Sequence, residues 1–314
     1  MNKQFDFVGR RKMMAIISVA ILVLAVVLSL VMGVEMDTVF KGGTQIQYSY
    51  TGTLDREAVE ELAEKELGAG VAVDLTNSGE TQILKMEKAE VLVPEEQEAL
   101  LDAFQKAFAD NKIESLEVRA LETSMGKSFF IKCLAALVLA MALLIVWVGI
   151  RFRKIGGISA GLAGVYALVI DMTVAYLAFV IFQIPLNDNF VAVMLTILGY
   201  SLNDTIVIFD RIRENRGKMG QSSIGDIVNL SLNQSLGRAI STSISTIIAM
   251  ACVAVVAIVM NLDAILSFAV PMLFGLVSGS LSSLFLCTPL WTMWVEHKEA
   301  KAAEKAAAAK GKKK

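Results

Sequence analysis

Six stretches of this chain are apolar for twenty residues or more, and that pattern leaves few folds open. A helix needs about 20 predominantly apolar residues to cross the ~30 Å hydrocarbon core of a bilayer. Met13–Val34 is uncharged and follows Arg10, Arg11 and Lys12. It is too long for a signal peptide and lacks a small-x-small cleavage site, so it reads as an anchor. Phe129–Ile150 carries Lys132 near one end and is followed by Arg151, Arg153 and Lys154. Ile155–Ile184 is interrupted only by Asp171, and Phe190–Phe209 only by Asp204. Ala239–Leu262 and Ala264–Val295 are uncharged and joined by a tight hairpin at Asn261–Asp263. The last is long enough to require a tilt or a kink, expected at Pro271. A charged fraction of 19% agrees with a membrane protein, since soluble domains carry about 25%.

The charges order these spans. Residues 1–12, the 151–154 and 211–218 loops and the 296–314 tail are basic and fall on one side. The 35–126 segment, the 185–189 loop and the 261–263 turn fall on the other. Short basic segments mark the cytoplasmic side, so both termini are expected inside. The 35–125 stretch holds 20 acidic against 8 basic side chains and is expected on the export side. No global basic patch is present, so no specific nucleic-acid partner is expected.

The hydrophilic segment reads as a small α+β domain. Thr44–Tyr50 alternates as a strand, and Leu54–Leu67 has helical spacing behind a Thr53 cap. Val71–Leu75 and Thr81–Glu87 are strand-like around an Asn77-Ser78-Gly79 turn. Pro94–Ala109 opens with Pro and Glu, as a helix N-terminus favours. Glu114–Leu121 is a final strand. The order β-α-β-β-α-β is ferredoxin-like. About 90 residues can enclose one modest core, and the many Glu read as solvated helix faces.

Several chemistries find no support. Cys133, Cys252 and Cys287 lie in apolar spans and form no CxxC pair, and His297 stands alone. No disulfide framework or metal site is expected. No GxxxxGK[ST] loop occurs, so no nucleotide chemistry is expected. The chain does not read as an enzyme, and no cofactor is expected.

The intramembrane carboxylates carry the functional argument. Phe190–Asn203 is too short to cross a bilayer, so the span must continue through Thr205–Phe209 with Asp204 inside it. A carboxylate there costs roughly 2.5–3.5 kcal/mol on insertion scales. It is retained where it pairs or moves protons. Burial and a nearby cation pull a carboxyl's proton affinity in opposite directions, so a site with both can load and release a proton as water access changes. The natural counter-charge is Arg238. If its helix starts near Asp226, Arg238 lies about 18 Å into it; if near Ser235, it snorkels at the interface. An Arg keeps its proton at working pH, so its role would be to gate the carboxylate. Asp171 reads either as a second relay site or as a polar packing group. Gly156, Gly157, Gly161 and Gly164, and the face Ser278, Gly279, Ser280, Ser282 and Ser283, read as close helix-packing surfaces. The glycines of Phe40-Lys41-Gly42-Gly43-Thr44 read as a turn or bulge.

The densest motif is the run Gly199, Tyr200, Ser201, Asn203, Asp204, Thr205, Val207, Phe209, Asp210, Arg211, Ile212, Arg213, Glu214 and Asn215. It closely resembles the signature G-Y-S-x-N-D-T-x-V-x-F-D-R-I-R-E-N of the SecF family of protein-export membrane subunits, within the RND superfamily. The L-x-Q-x-L-x-R-x-I-x-T-S pattern at 232–243 and the F-K-G-G-T entry at 40–44 resemble it too. The S-G-S-L-S-S segment at 278–283 is a looser match to the family's G-T-Y-S-S, and Ile170 replaces the His of its usual His-Asp pair. The resemblance implies a six-helix RND/SecDF-type bundle in the bacterial cytoplasmic membrane. Its implied partner is SecD, with which it would form a twelve-span unit beside the SecYEG channel. SecA, YajC and YidC are further implied partners, with membrane lipids and the emerging unfolded polypeptide as contacts. Protons would be the coupling ion, and Asp204, Arg238 and Asp171 the coupling positions. Two rival readings are a proton-driven RND exporter of small molecules or lipids, and a scaffold whose charges only lock helices together. RND exporters usually carry two large external domains and twelve spans in one chain, which counts against the first.

Overall fold

In lipid every backbone N–H and C=O must find a partner within its own segment, so the apolar stretches have to be helical. The computed structural model describes residues 5–68, 70–78, 81–219, 222–260 and 262–311. Among them six helices are long and apolar enough to cross a membrane. They are α1 (Arg11–Met32), α5 (Thr123–Arg151), α6 (Gly157–Ile181), α7 (Asp188–Lys218), α8 (Ile224–Val259) and a composite last span. That span joins α9 (Asp263–Ser282) to α10 (Thr288–Gly311) through a π-helical turn, Ser283–Cys287. The expected kink at Pro271 is not where helical regularity changes. α9 runs through Pro271, and the i→i+4 ladder gives way only at the π-turn.

Helix α6 is the centre of the bundle, packed on α1, α5, α7 and α9, while α8 lies against α7 and α9. Small residues set these crossings. A Cβ on Gly157 would lie 2.1 Å from the Gly149 carbonyl oxygen, and one on Gly161 would lie 3.0 Å from that of Ile145. The backbones of α5 and α6 therefore nearly touch. On the other side of α6, Gly275 and Gly279 let α9 close onto Ile197 and Ser201 of α7. The bundle core includes Leu168, Val193, Ile197, Phe209, Leu276 and Trp291.

The external domain has its own core, built on Ile46, Tyr48, Val59, Leu84, Leu100, Phe104 and Ile113. Strands β1 (Gly43–Tyr50), β2 (Val71–Ser78), β3 (Thr81–Lys88) and β4 (Glu114–Leu121) form one antiparallel sheet in the order β2-β3-β1-β4. Helices α3 (Arg56–Leu67) and α4 (Pro94–Ala107) complete the ferredoxin-like order. The expected Thr53 cap is wrong. Asp55 caps α3, its carboxylate accepting from Glu57 N at 3.2 Å, because a side-chain acceptor must sit one residue before the first helical turn. Asn77 and Ser78, expected in a turn, instead end β2 and pair with Gln82 and Thr81, because the ladder runs on to the end of both strands; Gly79, Asn261 and the last three lysines lie outside the described residues.

Domain and bundle meet at two joints. The first is the Phe40–Thr44 segment, where a one-turn helix α2 (Thr38–Lys41) ends in Gly42 (φ 78°) and Gly43 (φ 120°). A side chain on Gly43 would collide with the Lys88 carbonyl, so the position requires glycine for both reasons. Phe40 is buried against Phe129 and Phe130 of α5. The second joint is a short parallel bridge between Met36 and Leu186. Asp37 N donates to the Leu186 carbonyl at 3.0 Å, and Leu186 N donates to that of Glu35 at 2.9 Å. The α6–α7 loop is thus tied to the stalk of the external domain.

Candidate functional site

Helix α7 carries the signature run through the middle of the bundle, and its side chains sort by face. Ser201 and Thr205 are four residues apart and point to α6 and α9. Asp204 lies about 60° round the helix from Ser201, on the side away from Thr205, and its Arg238 counter-charge comes from α8. All three are buried.

On the first face, Asp171 is fully buried, about 21 Å along α6 from Gly157 and about 15 Å from Ile181. Three hydroxyls donate to it. Ser278 Oγ reaches Oδ1 at 2.6 Å, while Ser201 Oγ and Ser282 Oγ reach Oδ2 at 2.7 and 2.8 Å. Ser278 and Ser282 are one turn apart on α9, and Gly279 between them lets α9 close in. One turn toward the basic side, Thr205 Oγ1 meets Ser283 Oγ at 3.0 Å, and Ser283 Oγ also donates to the Ser201 carbonyl at 3.3 Å. Thr288 Oγ1 caps the π-turn by donating to the Ser283 carbonyl at 3.0 Å.

On the second face, Asp204 lies about 24 Å along α7 from Asp188 and is 8% exposed. Its Oδ2 is buried without a hydrogen-bond partner among the described residues. Arg238 is close enough for its charge to act on Asp204, yet no ion pair joins them. Where α8 begins sets how far along the helix Arg238 lies. Ser223 caps it, accepting from Asp226 N at 3.1 Å, and Ile224 starts the helix. Arg238 therefore lies about 21 Å into α8 instead of at its mouth. The helix starts ahead of the apolar span expected at 239–262, because the polar run before that span is already helical. Arg238 is exposed on a stripe with Ser241, Thr242 and Ser245.

The rest of the signature fastens α7 at the basic side. Asp210 pairs with Arg151 of α5 at 3.1 Å and with Arg213 at 2.8 Å. Arg211 Nε donates to Gln234 Oε1 of α8 at 2.7 Å. Asn215 Nδ2 donates to the same oxygen at 2.9 Å and to Ser231 Oγ at 2.8 Å. Gly199 and Asn203 are exposed on α7, and the Tyr200 hydroxyl is buried without a partner among the described residues.

Sequence reasoning paired Asp204 with Arg238 and read Asp171 as ambiguous. It took Ser278 and Ser282 for packing residues and so missed the hydroxyl cage of Asp171. The signal available was their four-residue spacing, which puts two hydroxyls on one helix face, in a chain with an unassigned intramembrane Asp. Among the described residues no group of His, Cys, Asp and Glu side chains is arranged to hold a metal ion.

Comparison with known proteins matches this geometry to a family. Residues 101–297 fit the model for the protein export membrane protein SecD/SecF, C-terminal region. The chain is 29% identical over 302 residues to protein translocase subunit SecF of Alicyclobacillus acidocaldarius, covering 94% of each. It is 31% identical over 263 residues to the SecF subunit of Sebaldella termitidis, covering 82% of this chain and 81% of that one. Against protein translocase subunit SecDF of Bacillus subtilis the identity is 29%, over 93% of this chain but 38% of the longer protein. The crystal structure of SecDF from Thermus thermophilus shares the fold, with a TM-score of 0.77 at 22% identity, over 94% of this chain and 39% of that one. The chain therefore spans about two-fifths of the SecDF proteins it matches, and nearly the whole of the Alicyclobacillus SecF subunit.

Proposed function

We propose that this chain, which belongs to the SecD/SecF family of protein-export membrane proteins, works in protein translocation as the SecF-type half of a proton-driven unit. The observation that carries the reading is Asp204, a carboxylate buried at membrane depth with an unpartnered oxygen. A purely structural carboxylate would be satisfied by neighbouring donors. Asp204 is instead left open, with a permanent cation within electrostatic reach. Proton uptake neutralises it and removes its attraction to Arg238. Proton release restores the attraction, and the two helices respond.

The second half of the unit is a SecD-type chain. Arg238, Ser241, Thr242 and Ser245 form an exposed polar stripe on a membrane helix. A charge facing lipid there is expensive, so a polar partner surface is needed to cover it. Relatives named SecDF, in which this chain matches only one part, support such a partner in continuous polypeptide. The basic side faces the cytoplasm and the acidic domain the export side. The route from proton to domain is short. Helix α7 carries Asp204, and the loop before α7 is hydrogen-bonded to the domain stalk at Glu35–Asp37. A shift of α7 is thereby passed to the domain, which biases an emerging polypeptide outward. No bond to the polypeptide is made or broken. The wider set of partners is the SecYEG channel with SecA, YajC and YidC.

The test is proton-gradient-dependent release of an exported protein from membrane vesicles. Wild type and Asp204→Asn are compared at matched expression and matched recovery of the SecD-type partner. The near-isostere keeps shape and loses the titratable group, so the gradient-dependent step should disappear with the complex intact. Unchanged release would remove Asp204 from the mechanism.

A further inference from the structure

The resemblance counts Asp171 among the coupling positions, but the export reading above is carried by Asp204, and the Asp171 cage is a different kind of site. An ionised carboxylate only accepts hydrogen bonds, and here all three neighbouring hydroxyls are within donating distance. Yet no Lys or Arg pairs with Asp171 among the described residues, and it is fully buried at mid-membrane. Neutral donors alone offset only part of the cost of burying a full charge. A compensating cation must therefore be able to arrive. A metal ion would need the oxygens spread around it. They are instead drawn in to 2.6–2.8 Å of the carboxylate, which suits a proton.

We propose that Asp171 and the hydroxyls of Ser201, Ser278 and Ser282 form a proton-operated latch on α9, loaded separately from Asp204. Two of the three bonds hold α9 to α6, and the third holds α7. Hydrogen bonds to an ionised acceptor are roughly twice as strong as neutral ones. When Asp171 takes a proton, one of its oxygens becomes a donor. One hydroxyl must turn to accept, and the other two bonds weaken. Whichever hydroxyl turns, at least one of the two bonds to α9, from Ser278 or Ser282, is weakened.

Two features make α9 the element that responds. The π-turn Ser283–Cys287 follows directly on the latch and supplies a place where helical register can change. A cavity of about 400 Å³ lies beside it, between α9 and α1, lined by Met14, Ile17, Ile170, Val277, Ser278 and Ser282. Released, α9 has space to enter on that side. The other titratable groups facing the latch are few. Cys287 of the π-turn feels the Asp171 charge, and Asp204 sits on the other flank of α7. The membrane-depth parts of α1 and α9 contribute no charged side chain. Ser201 and Asp204 are one turn apart on α7, so that helix carries both the third bond of the latch and the Asp204 carboxylate.

The experiment is infrared difference spectroscopy of the purified full chain with its partner in lipid nanodiscs, across an acid-to-alkaline series. A protonated-carboxyl band should be present in wild type, absent from Asp171→Asn, and retained in Asp204→Asn. Ser278→Ala keeps the carboxyl and removes one donor, so it should shift that band without abolishing it. Hydrogen exchange at fixed pH should be faster in α9 and the π-turn of Asp171→Asn than in wild type. Lack of any band assignable to Asp171, its removal by sodium at fixed pH, or unchanged exchange in α9 would overturn the latch. Asp204→Asn separates this outcome from the export reading, since it should stop release while leaving the Asp171 band in place.

Discussion

Replacing Gly157 by Ala tests whether the α5–α6 crossing holds the bundle together as described. The added Cβ would lie 2.1 Å from the Gly149 carbonyl oxygen, 2.9 Å from its carbon and 3.1 Å from its Cα. A comfortable C···O contact begins at about 3.3 Å, so the two helices must part by about 1 Å there. Backbone cannot swing aside as a side-chain tip can. Forcing an extra carbon into a packed crossing costs about 1–3 kcal/mol. The control sits across the same contact. A Cβ on Gly149 would meet nothing closer than Ile158 Cγ1 at 3.8 Å. Gly149→Ala should therefore be neutral, or stabilising by up to about 1 kcal/mol through helix propensity. Thermal unfolding of both variants in one detergent gives the comparison. Gly157→Ala should melt well below wild type, and Gly149→Ala at or above it. Equal melting points, or the reverse order, would refute the close backbone crossing.

Other consequences follow from the joints and the external core. Leu186→Pro removes the N–H that donates to Glu35, a loss of about 0.5–1.5 kcal/mol for one bond. It should lower gradient-dependent release while Asp204 and complex recovery are unchanged, and normal release would exclude the loop as the transmitting joint. Phe104 is fully buried and packs edge-on to Tyr48 with ring centres 5.8 Å apart. Phe104→Ala should cost the external domain about 3–5 kcal/mol, seen as protease cleavage within the domain while the helices stay protected. Glu87 is partly buried, which favours its neutral form, but the Lys85 hydrogen bond and charge outweigh this and hold its carboxyl below the usual range. A lowered folded value adds stability that is present above the ordinary carboxyl range and lost as pH falls through the folded value. In Lys85→Met the burial effect remains against only the Gln45 bond and the weaker Lys41 charge, so acid unfolding of the domain, followed by tyrosine fluorescence, should begin at higher pH than in wild type.

The apolar stretches were legible because their cause is local. Lipid offers no hydrogen bonds, so a long uncharged run has one solution, a helix. The β-α-β-β-α-β order of the external domain was legible for a similar reason, since alternation and helical spacing are properties of neighbouring residues. The signature run at 198–216 identified the family directly. Local signals failed where a partner far along the chain decides the outcome. The start of α8 was ambiguous because Asn233, Gln234 and Ser235 look like a loop. They are helical because Asn229 and Asn233 bind the backbone of Phe5, Phe7 and Val8, and Gln234 binds Arg211 and Asn215. The spacing of Ser278 and Ser282 showed a shared helix face but not what it meets, because the three hydroxyls of the Asp171 cage come from positions 30 or more residues away. Sequence alone determined which segments cross the membrane and that two carboxylates go with them, because burial in lipid depends on composition. Only tertiary packing decided that one carboxylate is enclosed by donors and the other left open to Arg238, because that depends on which faces of α6, α7, α8 and α9 meet.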